Sequence, residues 1–231
     1  MAGWNWKRPV AEFVAIFAGV TLSFLADDWR DQRNERGERV SVLELLREDL
    51  TVDLNEHDFL RRRAKVNQSS TSWLLARWDA NDVPVESIEI ALAAFALPLV
   101  FEYRSPAFSG LKDSNRLSLI SNSDLGQDLI EYFEHDQVVA SNMALALSQS
   151  KARLREALYP YVELPKYDAP ERPTRMSLAT SWAELTRDQV LRNRLMEVDQ
   201  YAALTLEFVE AADTTARVLI ERLDEELVGS Q

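Results

Sequence analysis

Val10 to Ala26 reads VAEFVAIFAGVTLSFLA, seventeen residues with Glu12 as their one charge. As a helix the run spans about 25 Å, the short end of what a bilayer core requires. Nine of its residues are Val, Ile, Leu or Phe. Together they favour insertion by about 4 kcal/mol, before Glu12, Thr21 and Ser23 are subtracted. Trp4 and Trp6 precede the run and Trp29 follows it, as interfacial tryptophans do. Lys7 and Arg8 flank it on the N-side, and Pro9 sits where a first helical turn tolerates proline. The expectation is a tail over 1–8 and a transmembrane helix over 9–26. A cleaved signal peptide is the alternative, but Phe24 is too bulky for the −3 position of a cut after Ala26.

Residues 27–39 are charged helix formers, so the membrane helix is expected to run on as a juxtamembrane helix. Arg30, Arg33, Arg36 and Arg39 recur every third residue there. They fit lipid headgroup phosphates or, equally, a solvated face with acidic neighbours such as Glu35. The positive-inside rule is nearly balanced between the two flanks. The usual N-in form of a signal anchor puts the soluble domain outside the cytoplasm.

From Val40 the pattern turns amphipathic. Leu43, Leu46, Leu50 and Leu54 share a face, and the helix is expected to reach towards Trp78 before Asp79–Pro84 ends it. Ile88 to Phe101 reads as a buried helix ending near Pro98, too interrupted for a second span. Gly110 reads as a turn among short helices. Helical spacing resumes at Asp124 and extends to Leu158, closing a helical domain over 40–158. Four prolines make 159–176 a connecting loop. The segment 177–231 is expected to hold a long helix packing on the bundle, with Leu191, Leu195, Val198, Leu204, Phe208 and Leu227 among its apolar residues. No run reads as a β-strand. The fold class is therefore all-α: an N-terminal transmembrane helix continuing into a long helix and a helical bundle.

Three stretches together resemble an uncharacterised bacterial family of single-pass membrane proteins. One is Ala11-Glu12 … Gly19-Val20 … Asp27-Asp28-Trp29, followed by Leu45-Leu46-Arg47-Glu48-Asp49-Leu50. Another is Tyr103 … Ser109-Gly110 … Leu117-Ser118-Leu119-Ile120-Ser121-Asn122 … Tyr132-Phe133, with an insertion after Gly110. The third is Arg192-Asn193-Arg194-Leu195 through Leu219-Ile220. The resemblance implies an anchored helical protein and carries no activity.

Composition excludes several chemistries. There is no cysteine, hence no disulfide, thiolate metal site or cysteine nucleophile. A net charge of −12 argues against a nucleic-acid partner. No Gly-x-Ser-x-Gly elbow surrounds Ser109. Both histidines lie in Glu-His-Asp tripeptides, each with an acid four residues upstream: Asp53/His57 and Glu131/His135. Side by side, two such helices could hold a metal ion, whereas the plainer reading is two surface histidines. Trp73 and Trp78 read as packing residues. In the membrane segment, Ala15, Gly19 and Ser23 form a small-residue packing face, and Glu12 is a costly intramembrane carboxylate. The function expected is non-enzymatic and cofactor-free: a structural or accessory subunit, in contact with membrane lipid, assembling with itself or with a larger membrane complex. Two alternatives stay open, a homo-oligomeric pore with Glu12 on its axis and a carboxylate–histidine metal sensor or enzyme.

Overall fold

A computed structural model describes the backbone of residues 7–96, 98–99, 103, 105–121, 123–163 and 176–229, with side chains from residue 36 onward. Trp4 and Trp6 lie outside the described residues. So do the side chains of Lys7, Arg8, Glu12, Ala15, Gly19, Ser23, Trp29, Arg30 and Arg33. Among the described residues no helix is long and apolar enough to cross a membrane.

The described chain is almost entirely helical. Helix α1 runs from Lys7 to Ala76, 70 residues without a break. The short helices α2 (Val85–Ala93), α3 (Pro106–Asp113) and α4 (Ser118–Ser121) follow. Helix α5 (Asp124–Glu131) passes through a π-helical turn, Tyr132–Asp136, into α6 (Gln137–Leu158). Two-residue strands β1 (Val162–Glu163) and β2 (Ser177–Leu178) pair antiparallel. Helices α7 (Trp182–Leu185) and α8 (Gln189–Gly229) complete the chain.

Three long helices make the core, and each buries a stripe whose steps alternate between three and four residues. On α1 the stripe is Leu43, Leu46, Leu50, Asp53, His57, Leu60, Ala64, Asn67, Thr71 and Leu74. On α8 it starts at Leu191 and runs through Leu195, Val198, Ala202 and Thr205 to Val209, Ala212, Ala216, Leu219 and Leu223. On α6 it runs from Gln137 through Ala140, Ala144 and Leu147 to Lys151, Leu154 and Leu158. That repeat is the seam of a coiled coil.

Cross-helix pairs fix the directions. Arg39 meets Glu226 at 2.6 Å, Arg61 meets Asp213 at 3.0 Å, and Thr71 donates to Asp199 at 2.7 Å, so α1 and α8 are antiparallel. Arg153–Glu197 and Arg222–Asp128 make α8 antiparallel to the α5–α6 helix as well. It follows that α1 and α5–α6 run parallel. The chain must then return the length of the bundle between them, and α2, α3 and α4 lie on that return path. Asp49 of α1 holds the path in place: its Oδ2 accepts the backbone N–H groups of Ala107 and Phe108 at 2.9 and 3.3 Å, capping α3 from another helix. Ser123 caps α5 and Asp188 caps α8 within the chain's own turns.

Three expectations change here. Gly110 lies inside α3 and is no turn, because Pro106 starts a helix that Gly110 does not interrupt. The loop over 159–176 contributes strand β1, paired with β2, and Leu178 N–H is held by Glu89 at 3.1 Å. Leu204, Phe208 and Leu227 are only half-buried, because Ala202, Thr205 and Val209 take the seam.

Two glycines make a paired test. At Gly126 a Cβ would sit 1.6 Å from the Ile120 carbonyl oxygen, whereas at Gly37, within α1, it would meet nothing. Gly126→Ala should therefore destabilise the bundle by at least about 2 kcal/mol through backbone displacement. Gly37→Ala should stabilise it by up to about 1 kcal/mol through helix propensity. Urea denaturation of the two variants reads both signs.

Candidate functional site

The seam of α1 is apolar through Leu50 and then turns polar. Asp53 and His57, one helical turn apart, are both fully buried at 0 % exposure. Asp53 Oδ2 accepts the Tyr132 hydroxyl at 3.0 Å and Gln137 Nε2 at 2.7 Å. Gln137 also donates to Ser105 Oγ at 2.7 Å, tying the crossover into the cluster. The His57 ring packs edge-on to Tyr103, with centroids 5.6 Å apart. Its Nδ1 lies 3.8 Å from Asp213 Oδ1, beyond hydrogen-bond range. Asp213 is itself held by Arg61 at 3.0 Å and by Arg217 at 2.8 Å. Among the described residues neither ring nitrogen of His57 has a hydrogen-bond partner, and neither does Asp53 Oδ1.

Burial dominates the electrostatics. It pushes the Asp53 carboxyl up to about 7, against the two hydrogen bonds it accepts and with help from Asp49 and Glu56. Burial likewise pulls His57 down to about 4, opposed by Asp213 and assisted by Arg61 and Arg217. Burial also raises both tyrosine hydroxyls far above their ordinary range, with Asp53 as the next cause. Asp213 is pushed up by burial too, but the guanidiniums of Arg217 and Arg61 outweigh it and hold its carboxyl low. The cluster thus contains an uncharged imidazole beside a carboxyl that takes its proton near neutrality.

A second polar layer lies farther along the same seam. Thr71 and Ser72 donate to Asp199 at 2.7 and 2.9 Å. Asn67 is 1 % exposed, and neither atom of its side-chain amide has a partner among the described residues. Lys151 is 5 % exposed, and burial pulls it down to about 8, with Arg63 and Arg155 adding to the effect.

The expected metal set does not assemble. Asp53 and His57 are in the core, whereas Glu131 and His135 are exposed. The π turn inserts one residue into the helical repeat, so that Leu125 and Leu129 before it, Tyr132 and Phe133 within it, and Gln137 and Ala140 after it are all buried. No group of three or more His, Asp or Glu among the described residues could hold a metal ion.

Of the arginine stripe, Arg36 and Arg39 have described side chains, and Arg39 joins Glu226 and Ser123, closing the α1–α8 end of the bundle. Arg36 and Arg39 line a cleft of about 600 Å³ there, with Val40, Leu43 and Gly229. Trp78 packs edge-on against Trp182 at 5.7 Å, as a packing residue should.

Tyr103, Gln137, Asp213, Arg61 and Arg217 are the site residues that spacing alone did not select, whereas helical spacing already placed Tyr132 on the apolar face after Asp124. The available signal was the interruption of a leucine ladder by Asp53 and His57 at seam positions.

Comparison with protein-family models, with characterised proteins and with solved structures finds no match to this chain. The cluster therefore has to be read from its own chemistry. It contains no nucleophile set against a base, and what it can do is hold a proton and fix the register of three helices.

The two buried groups have opposite linkages. Asp53 keeps its proton in the folded state from pH 3.8 up to about 7, so its contribution to stability falls as pH rises through that range. His57 resists protonation between pH 6.5 and about 4, so its contribution falls as pH drops. The slopes oppose one another where they overlap. Asp53→Asn should leave stability rising from pH 4 to 6.5 by about 3 kcal/mol, and His57→Leu should leave it falling from pH 3.8 towards pH 7 by about 4 kcal/mol, at about 1.4 kcal/mol per pH unit. Denaturation midpoints across that range check both. His57→Leu should also be the more stable protein at pH 5, and a less stable one would mean that the imidazole is satisfied by partners the cluster does not contain.

Proposed function

We propose that this chain is a non-enzymatic, membrane-anchored structural subunit, assembling with itself or with a larger complex in a bacterial inner membrane. The observation that carries the reading is the unbroken course of α1. The same helix that contains the apolar run 10–26 also supplies one side of the coiled-coil seam. A single helix transmits the position and rotation of an anchor to the bundle without a linker, which suits a spacer or scaffold better than a tethered catalyst. The buried cluster supports the same reading: a proton-holding, register-fixing layer between helices is a structural device. The resemblance to an anchored bacterial family agrees in location and adds no activity. Within the membrane, Ala15, Gly19 and Ser23 would permit close helix approach and Glu12 would select the partner or register. The periplasmic side is the preferred place for the bundle.

Washing membranes with alkaline carbonate, followed by native mass spectrometry of the gently solubilised protein, tests this directly. The chain should stay with the bilayer and fly as an assembly, homo-oligomeric or with other subunits. Glu12→Gln should change the assembly and leave bundle stability unaltered. Release by carbonate together with a monomeric mass would contradict the proposal.

A further inference from the structure

Besides its seam, α1 carries a second apolar column. Leu45, Val52, Phe59, Val66 and Trp73 recur at steps of seven. The seam keeps the same seven-residue period, so the column stays at a constant offset from it, two positions after Leu43, Leu50, His57, Ala64 and Thr71. Leu45, Val52 and Val66 are 48, 49 and 51 % exposed. Phe59 and Trp73 are half-buried, and the guanidiniums of Arg63 and Arg77 lie 5.5 and 4.4 Å from their ring centroids. Scattered exposed apolar residues need no explanation, but three exposed and two half-buried on one line of one helix do.

The charge along α1 is divided at the middle of this column. From Val40 to Asp58 the acids outnumber the bases, Arg47 being the one cation. From Phe59 to Ala76 there are Arg61, Arg62, Arg63 and Lys65 and no acid. Glu44 and Glu48 are exposed on one half, and Arg62, Arg63 and Lys65 on the other.

We propose that a second copy of this chain docks on the column in antiparallel orientation, about a two-fold axis at Phe59. That axis sets Leu45 opposite Trp73, Val52 opposite Val66 and Phe59 opposite itself. It also sets Glu56 of each α1 level with Arg62 and near Arg63 of its mate, while Glu44 and Glu48 fall opposite Leu74 and Ser70. A parallel pair would instead set acid against acid and base against base. Exposed ion pairs add little stability singly, so the charges select the orientation while the apolar column supplies the burial. The contact is isologous and closes at two copies. It is read from α1 beyond Val40 and does not depend on the membrane anchor. The two N-terminal runs leave such a pair in opposite directions, so it forms between chains that are not anchored side by side in one bilayer and is distinct from the lateral assembly proposed above.

The absence of cysteine makes the test clean. In the full-length chain, purified in mild detergent and gently oxidised, Phe59→Cys alone should give a disulfide-linked dimer. Val52→Cys and Val66→Cys should each fail alone, and the double variant should cross-link. Phe59 contributes to packing, so the Val52/Val66 set carries the test if that variant is poorly folded. Arg62→Glu with Arg63→Glu should abolish the cross-linking of the Val52/Val66 double variant at unchanged helicity. Cross-linking of Val52→Cys or Val66→Cys alone would overturn the antiparallel pair. A monomer that none of the variants cross-links would overturn the interface altogether.

Discussion

The antiparallel seam between α1 and α8 is the interaction on which the rest of the structure depends. It sets α6 parallel to α1, which obliges the chain to return along the bundle through α2, α3 and α4. The return path in turn delivers Tyr103 and Ser105 to the middle of the core and gives Asp49 a helix to cap. Arginines of α1 meeting carboxylates of α8 at Arg39–Glu226, Arg47–Asp224 and Arg61–Asp213 hold the register at intervals along it. Arg39–Glu226 and Arg47–Asp224 are partly exposed and contribute little singly, whereas Arg61–Asp213 is largely buried. Leucine and alanine burial supplies the stability, and the ion pairs choose among registers.

A uniformly apolar seam could slide by a heptad with little penalty. The buried Asp53–His57 layer removes that freedom, because a shifted α6 would leave the Asp53 carboxyl without Tyr132 and Gln137. Desolvating these groups costs stability, as their displaced proton affinities show. A single-residue π insertion supplies the matching surface on the facing helix, and it puts Tyr132 and Phe133 in the core together.

Much of the helical architecture was legible in the sequence, and the site was not. The Leu43–Leu46–Leu50 spacing and the proline-bounded segment 159–176 marked the long helices and their connection. The continuation of the N-terminal helix into the bundle followed from the helix formers at 27–39. Beyond Leu50 the apolar pattern pointed to Leu54, whereas the seam continues through Asp53, because a three-helix core accepts a polar residue once partners are at hand. Those partners come from α6, α8 and the crossover, at sequence distances that no local pattern encodes. The π turn is equally silent: nothing in Tyr-Phe-Glu-His-Asp sets it apart from ordinary helix, and its effect is to move the core face of α6 by one residue, onto Gln137, Ala140 and Ala144. Asp49 is the same case in small, a helix-surface acid by sequence and a cap for α3 in the fold.

Helix α1 is one element from the apolar run to the bundle, and a spin-label distance across Gly37 tests that most directly. Labels at Arg30→Cys and Glu48→Cys are five turns apart on one face of the helix. Double electron–electron resonance on the full-length protein in a bilayer should give one narrow distribution near about 27 Å, the rise of eighteen helical residues. A broad or shortened distribution would mean that the helix hinges at Gly37, and the anchor and the bundle would then be separate elements.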